Sequence, residues 1–337
     1  MYLIAGHCSI QFRIARGRRR AALGTGAPAG AFEMDSNVAK TYNALAAGIV
    51  AISFGAIFTR LAHAPAPGVA ALRMIFSSII LVPFVLGSAR ARRELRELSR
   101  GDLLLLVLSG LFLALHFMLW ILSLSYTGVA SSVVLVTTNP LWVALFTIVF
   151  LKEKVSRIIW LGLALSIAGG VIIGGSDALS GHERWQGDML ALGGALAIAG
   201  YFIVGSRLRK RLSLIAYVFP VYSVAAAALL AVSIAARVSL AGFEPESYLY
   251  CFLMAFVCQI LGHSLFNWAL EHLAATVVSI AVLGEPVGAS ILAVLILREV
   301  PGSSVILGGA LILMGIFLVL YASPESAAAR ERIASGS

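Results

Sequence analysis

Gln259, His263 and Asn267 recur at i, i+4 and i+8 inside an otherwise apolar run. That spacing sets all three along one side of a helix, together with Phe252, Phe256 and Phe266. An earlier run carries a comparable stripe of Ser109, Phe112, His116, Trp120 and Ser123. Glu285 is the one acid well inside such a run. It precedes Pro286, as Asn139 precedes Pro140. Amides, imidazoles and rings can hydrogen-bond and stack on a small solute, and a carboxyl can carry a proton. Polar groups are costly in lipid and turn toward a bundle interior or a watery cavity. Two such stripes facing each other would bound a slot with aromatic walls and polar tips, suited to a flat or amphipathic solute. The same groups could instead serve as interhelical hydrogen bonds, worth roughly 0.6–2 kcal/mol each.

Glu285 has three readings: a proton-coupling group, the partner of a substrate amine, or a hydrogen-bonded carboxyl that stabilises a kink. The proline beside it removes one backbone bond and frees a carbonyl in the preceding turn. Tyr201 and Phe202, with Tyr217 and Tyr222, are candidate aromatic walls, or else interfacial anchors and core. The candidate substrate-binding set is therefore His116, Trp120, Asn139, Tyr201, Tyr222, Gln259, His263, Asn267 and Glu285. Arg60 and Arg73 could hold a carboxylate. Placed near one face of a membrane, they are expected to snorkel to headgroups or pair locally. Glu153 and Glu299 stand beside Lys152 and Arg298, where helix-end hydrogen bonding and ion pairing account for them. No Gly-rich phosphate loop, paired CxxC, HExxH or GxSxG occurs, so no enzyme, cofactor or metal chemistry is expected. Of the three cysteines, Cys8 stands apart. Cys251 and Cys258 lie seven residues apart in one run, about 10 Å along a helix and too far for a disulfide.

The elements that must position these residues follow from composition. The 337 residues are 60% hydrophobic and 12% charged, with a mean hydropathy of +0.96. Apolar runs of about 20 residues recur nearly end to end, too long and too unalternating for barrel strands. Ten spans are expected: 42–61, 68–86, 102–124, 128–151, 157–174, 187–206, 213–236, 248–270, 274–297 and 303–321. Residues 1–41 read as a disordered cytoplasmic tail, within which Met34 is an alternative start, and 322–337 as a second tail. The net charge of +9 is read as membrane orientation rather than nucleic-acid binding. With the N-terminus inside, the inner segments hold 20 Lys and Arg and the outer ones three, Arg184, Arg237 and Arg298.

The stretch Trp120 to Ile173 returns 146 positions later without a gap. Pro140 falls on Pro286, Leu151 on Leu297, Glu153 on Glu299, Gly162 on Gly308 and Gly169 on Gly315, within ten identities over 54 positions. Five spans per copy is an odd number, so the second copy enters from the opposite side. The expected fold class is an all-α membrane protein of ten transmembrane helices, arranged as two inverted five-helix repeats, 42–174 and 187–321.

Tyr126-Thr-Gly-Val-Ala-Ser, Pro140, Leu151-Lys-Glu153 and Leu161-Gly162 through Gly169-Gly170 resemble the drug/metabolite transporter superfamily, specifically its EamA-type ten-helix members. Glu285-Pro286-Val287, Leu297-Arg-Glu299 and Leu307-Gly308 through Gly315 look like the same pattern, and Arg73 with the run to Pro83 is similar to the usual second helix. The family usually has Leu-Gly-Glu where Lys152 and Arg298 replace the glycine. The resemblance implies efflux of metabolites, often amino acids or related compounds, through a cavity between the repeats. The expectation is thus a multi-pass transporter of the bacterial inner membrane with both termini cytoplasmic. It would work by alternating access on a small-molecule substrate, with proton coupling, as a monomer or homodimer in the lipid bilayer. An importer or facilitator on the same scaffold is the alternative; a membrane enzyme or a receptor is the remoter one.

Overall fold

The computed structural model describes residues 36–151, 157–179, 184–273 and 275–321. Most of the two expected tails, together with Cys8, Lys152, Glu153 and Lys154, lies outside the described residues. The first half contains α1 (Ser36–Ser53), α2 (Gly55–Leu61), α3 (Ala66–Gly87), α4 (Ala89–Arg96), α5 (Arg100–Ser123), α6 (Val129–Val136), α7 (Asn139–Leu151) and α8 (Arg157–Leu179). The second half contains α9 (Arg184–Leu208), α10 (Leu214–Ala235), α11 (Pro245–Leu253), α12 (Ser264–Ala269), α13 (Ala275–Ala281), α14 (Glu285–Leu292) and α15 (Ser303–Tyr321). Residues Met254–His263 and Ala293–Leu297 are π-helical. No strand occurs among the described residues.

Six helical stretches are long and apolar enough to cross a membrane: Asn43–Leu61, Ala66–Gly87, Arg100–Ser123, Arg184–Leu208, Leu214–Ala235 and Pro245–Ala269. Four further apolar stretches are shorter: Val129–Val143, Trp160–Ile173, Val282–Leu297 and Ser303–Gly315. Two of these short ones are interrupted at the prolines. Pro140 has no N–H to return, so α6 ends at Val136 and the chain restarts at Asn139. Thr137 Oγ1 donates to the carbonyls of Val133 and Val134, 2.8 and 3.0 Å, and Thr138 Oγ1 to that of Leu135, 2.7 Å. These bonds satisfy backbone that lipid cannot. Around Pro286 a 3-10 turn, Val282–Gly284, plays the equivalent part, and α14 restarts at Glu285. Asn139 and Glu285, 146 positions apart, are therefore both first residues of a restarted helix.

The i→i+5 bonds over Met254–His263 lodge extra residues in the helix and turn the side chains before them to a different face. Phe252 and Phe256, expected beside Gln259, consequently point outward at 43% and 44% exposure and stack on each other. Only Phe266 of the three remains inside.

Contacts between the halves obey the 146-residue offset. Helices α8 and α15 run antiparallel at backbone contact. A Cβ at Gly308 would stand 2.6 Å from the Gly169 carbonyl, one at Gly169 would meet the Gly308 carbonyl, and one at Gly315 would meet that of Gly162. Gly162 and Gly308 are mates under the offset, as are Gly169 and Gly315, so each residue touches the mate of the other. The same reciprocity holds elsewhere. Gly48 faces the Phe266 ring, and its mate Gly194 faces Trp120, the mate of Phe266.

Both ends of the bundle are tied across the halves. At one end Arg211 pairs with Asp102 at 2.9 Å, and Glu94 accepts the Ser213 N–H at 2.7 Å. Asp102 also completes a capping box with Ser99 at the start of α5. At the other end Glu299 Oε1 accepts the Val129 N–H at 2.6 Å, and Arg60 bridges Glu299, 3.9 Å, and the Thr127 carbonyl, 2.9 Å. Glu299 thus serves the first turn of α6 in the opposite half rather than the end of its own helix. Arg298 makes the turn that aims it there, in the left-handed region at φ 56°. That is the conformation a glycine adopts without steric cost, which explains the family's Leu-Gly-Glu.

Two outcomes are expected in melting experiments on the detergent-solubilised protein. Gly169→Ala and Gly308→Ala should each destabilise by roughly 1–3 kcal/mol, and the double variant by less than their sum, because both force apart one contact. Arg298→Gly should stabilise by roughly 0.5–1 kcal/mol by relieving the left-handed residue. A lower melting temperature for it would refute that account.

Candidate functional site

A small cavity lies between the halves. Its space open to a water centre is about 30 Å³, room for about two waters. Ten of its sixteen lining residues form five pairs separated by 146 positions: Ile52 with Ile198, Phe117 with His263, Trp120 with Phe266, Val136 with Val282, and Asn139 with Glu285. The Phe117 and His263 rings meet edge to face at 5.3 Å. The offset thus runs through the site as well as through the helix contacts.

The expected stripes on α5 and on the Met254–His263 segment do meet. His116 and His263 stand 6.4 Å apart, and His116 lies parallel to Trp120 at 6.2 Å. His116 Nδ1 is 3.0 Å from the Gly194 carbonyl; a carbonyl only accepts, so Nδ1 carries the proton and Nε2 is the free acceptor. His116, Trp120, Asn139, His263 and Glu285 line the cavity, and Gln259 reaches it by bonding to Arg73.

Tyr201, Tyr222 and Asn267 do not line it. They satisfy one another in a buried network that adjoins the cavity through Gln259: Tyr201 Oη donates to Asn267 Oδ1 at 2.8 Å, and Asn267 Nδ2 to Tyr222 Oη at 3.3 Å. Tyr222 also meets Ser264 at 3.2 Å. Arg209 Nε donates to the Asn267 carbonyl at 2.8 Å and its guanidinium pairs with Glu271. On α5, Ser109 bonds Tyr217, Phe112 packs on Gly200, and Ser123 bonds Ser132. These residues rigidify the walls.

Arg73 is the residue placed least well by sequence. Expected to snorkel, it is instead 1% exposed, inside the cavity. Its Nε and Nη2 donate to Gln259 Oε1 at 3.2 and 2.9 Å, and its guanidinium carbon sits 3.9 Å over the Phe117 ring and 6.0 Å from that of Trp120. The physical reason is the helix start. Helix α3 begins at Ala66, with Pro67 in its first turn, so Arg73 lies roughly 10 Å along it. Pro65-Ala-Pro-Gly68 was the available signal. Around it Trp120 Nε1, Asn139 Oδ1 and His263 Nδ1 are buried without a hydrogen-bond partner among the described residues, and the Gln259 amide lies beside the Tyr222 hydroxyl. Cys258 lines the same cavity as a free thiol.

The helices and the enclosed polar site define an all-helical, multi-pass membrane protein. Residues 41–175 and 185–321 each match the EamA-like transporter family, and the chain belongs to that family. Membership sets it among transporters of small solutes. A protein of Clostridium kluyveri, described as an uncharacterized transporter, is 25% identical over 272 residues, covering 78% of this chain and 86% of the relative. One of Archaeoglobus fulgidus, described in the same words, is 26% identical over 257 residues, covering 73% and 84%. A solved structure described as "Crystal structure of protein" shares the fold with a TM-score of 0.58 at 18% identity, covering 83% of this chain and 96% of that one.

Cys258 offers a reporter of closure at the Arg60–Glu299 end. In a Cys8→Ser, Cys251→Ser background, Glu299→Ala should speed modification of Cys258 by a membrane-impermeant thiol reagent about fivefold. That is the population shift worth about 1 kcal/mol, the size of a lost helix cap. An unchanged rate would show that Glu299 does not hold the cavity shut.

Proposed function

We propose that the protein exports amino acids or related small metabolites by alternating access. Two inverted five-helix repeats, 42–174 and 187–321, would rock about the central cavity in the bacterial inner membrane, with both termini cytoplasmic. The observation that carries this reading is the set of five mated pairs lining one cavity. A site built from equivalent positions of two copies has two nearly equivalent ways to open, one per face. The antiparallel, reciprocal contact of α8 with α15 supports inversion, because a twofold axis relating antiparallel helices lies across them. With helices along the membrane normal, that axis lies in the membrane plane. The ties at opposite ends of α5 support the cycle: release at one end and retention at the other gives each open form. In this assignment Arg60 and Glu299 close the outer side, and Glu94, Asp102 and Arg211 the cytoplasmic side.

Glu285 is the proposed proton carrier. Its mate Asn139 holds the same place in the other half without a titratable group, so a proton there changes the charge of one wall only. The test is flux of radiolabelled amino acids and drugs in proteoliposomes, with and without an imposed pH gradient. Gradient-stimulated flux is expected for the wild type, and Glu285→Gln should retain exchange while losing the stimulation. Absence of flux for every compound would count against transport. Stimulation surviving in Glu285→Gln would remove this residue as the carrier.

A further inference from the structure

The geometry points to Arg73 as the binding group for a carboxylate on the transported solute, with Gln259 as its resting partner and the surrounding rings as the seat of a flat apolar body. The inference deepens the transport reading and rests on it only for the route by which the solute arrives. Arg73 departs from the cavity's internal symmetry: its mate under the 146-residue offset is Phe219, so no second charge mirrors it. It is 1% exposed, yet its hydrogen bonds go to a single neutral oxygen, Gln259 Oε1. Among the described residues it forms no ion pair. Glu285 lines the same cavity and acts on Arg73 through space, but the two form no ion pair within 4 Å.

A permanently charged guanidinium withdrawn from water calls for a counter-anion, and a neutral amide supplies only part of one. Two further buried N–H groups stand here: Trp120 Nε1, which lacks a protein acceptor, and Gln259 Nε2, which has only the neutral Tyr222 hydroxyl beside it. Trp120 is the ring 6.0 Å from the guanidinium carbon, and Gln259 is bonded to it directly. The neighbourhood of Arg73 is thus rich in donors. One cation with two neutral N–H groups matches the planar pair of oxygens of a carboxylate, whose preferred partner is the guanidinium fork. With Glu285 protonated, the single cation balances one carboxylate, whereas a phosphate dianion would leave negative charge uncompensated in the same space. Once an end has parted and the cavity has widened beyond its present room for about two waters, Phe117, Trp120 and Phe266 give an apolar body planar surfaces to lie on. A carboxylate arriving at Arg73 would take over the donors now given to Gln259 Oε1, so occupancy and the resting contact are alternatives.

The experiment measures equilibrium binding and, separately, flux, using three probes that share a phenyl ring: L-phenylalanine, 3-phenylpropionate and phenethylamine. Expected for the purified wild type is binding of both carboxylates and none of phenethylamine. Replacing 3-phenylpropionate by its amide should weaken binding about tenfold or more, the scale of a lost charge-assisted bond. Arg73→Gln should remove the difference between acid and amide, and Arg73→Lys should retain part of it. Equal binding of acid and amide by the wild type would overturn the inference without reference to any variant, as would failure of either carboxylate to bind. Transport fails separately. Carboxylate binding that depends on Arg73 but produces no flux would leave this site standing and refute the transport reading. Flux of phenethylamine at the rate of the carboxylates would do the reverse.

Discussion

A guanidinium in the interior of a helical membrane protein must be accompanied, and much of the centre of this molecule is arranged as the company of Arg73. Phe117 lies under it and Gln259 accepts from it. Gln259 belongs to the π-helical segment Met254–His263, whose altered register separates it from the outward Phe252 and Phe256. The same segment presents His263 to Phe117 and Cys258 to the cavity. A π-helix is rare and is commonly kept where it re-aims side chains at a functional site. Here it directs the polar face inward while the preceding aromatics face outward.

The duplicated plan explains the shape of the site, and its violations explain the chemistry. Isoleucine opposes isoleucine, valine opposes valine, and the aromatic pairs Trp120–Phe266 and Phe117–His263 keep the walls nearly equivalent. At the helix restarts the pair becomes Asn139 and Glu285, and on α3 the charge of Arg73 answers to a phenylalanine. An acid on one side and a base without a mate give the cavity a direction that a pair of identical repeats could not have. The Tyr201–Asn267–Tyr222 network lies outside these pairs and has its hydrogen bonds filled internally. It fits the part of a rigid wall better than that of a ligand contact.

What the sequence makes legible is set by how local the physics is. The ungapped offset, the prolines and the small residues at 162, 169, 308 and 315 act within a turn or two of themselves, and the helix breaks and close contacts follow them directly. The departure from Leu-Gly-Glu at Arg298 was legible as a substitution only; that the residue is left-handed is visible in the structure alone. The placement of Gln259 and His263 on an inward face was also readable from polarity. The fate of Asn267, Tyr201 and Tyr222 was not, because a polar residue at helical spacing looks the same whether it faces a cavity or another side chain. Arg73 was hidden for a different reason. A basic residue two turns into an apolar helix can reach the headgroups or turn inward, and the partner at position 259, 186 residues away, decides between them.

The closures at the two ends show how such an assembly can be held and still move. Each consists of a few carboxylate contacts with partly exposed groups: Glu299 with Val129 and Arg60, and Asp102 with Arg211, whose side chain is 66% exposed. Exposed pairs of this kind contribute on the order of 1 kcal/mol or less. The reciprocal glycine contacts of α8 and α15, by contrast, are backbone against backbone and cannot separate without loss of close packing. A two-state equilibrium responds to ligands only when its states differ by a few kcal/mol. Weak ties at the ends, a firm seam along the glycines and a cavity with room for only about two waters are what the proposed cycle requires: the seam would preserve the pairing of the halves while either end parted.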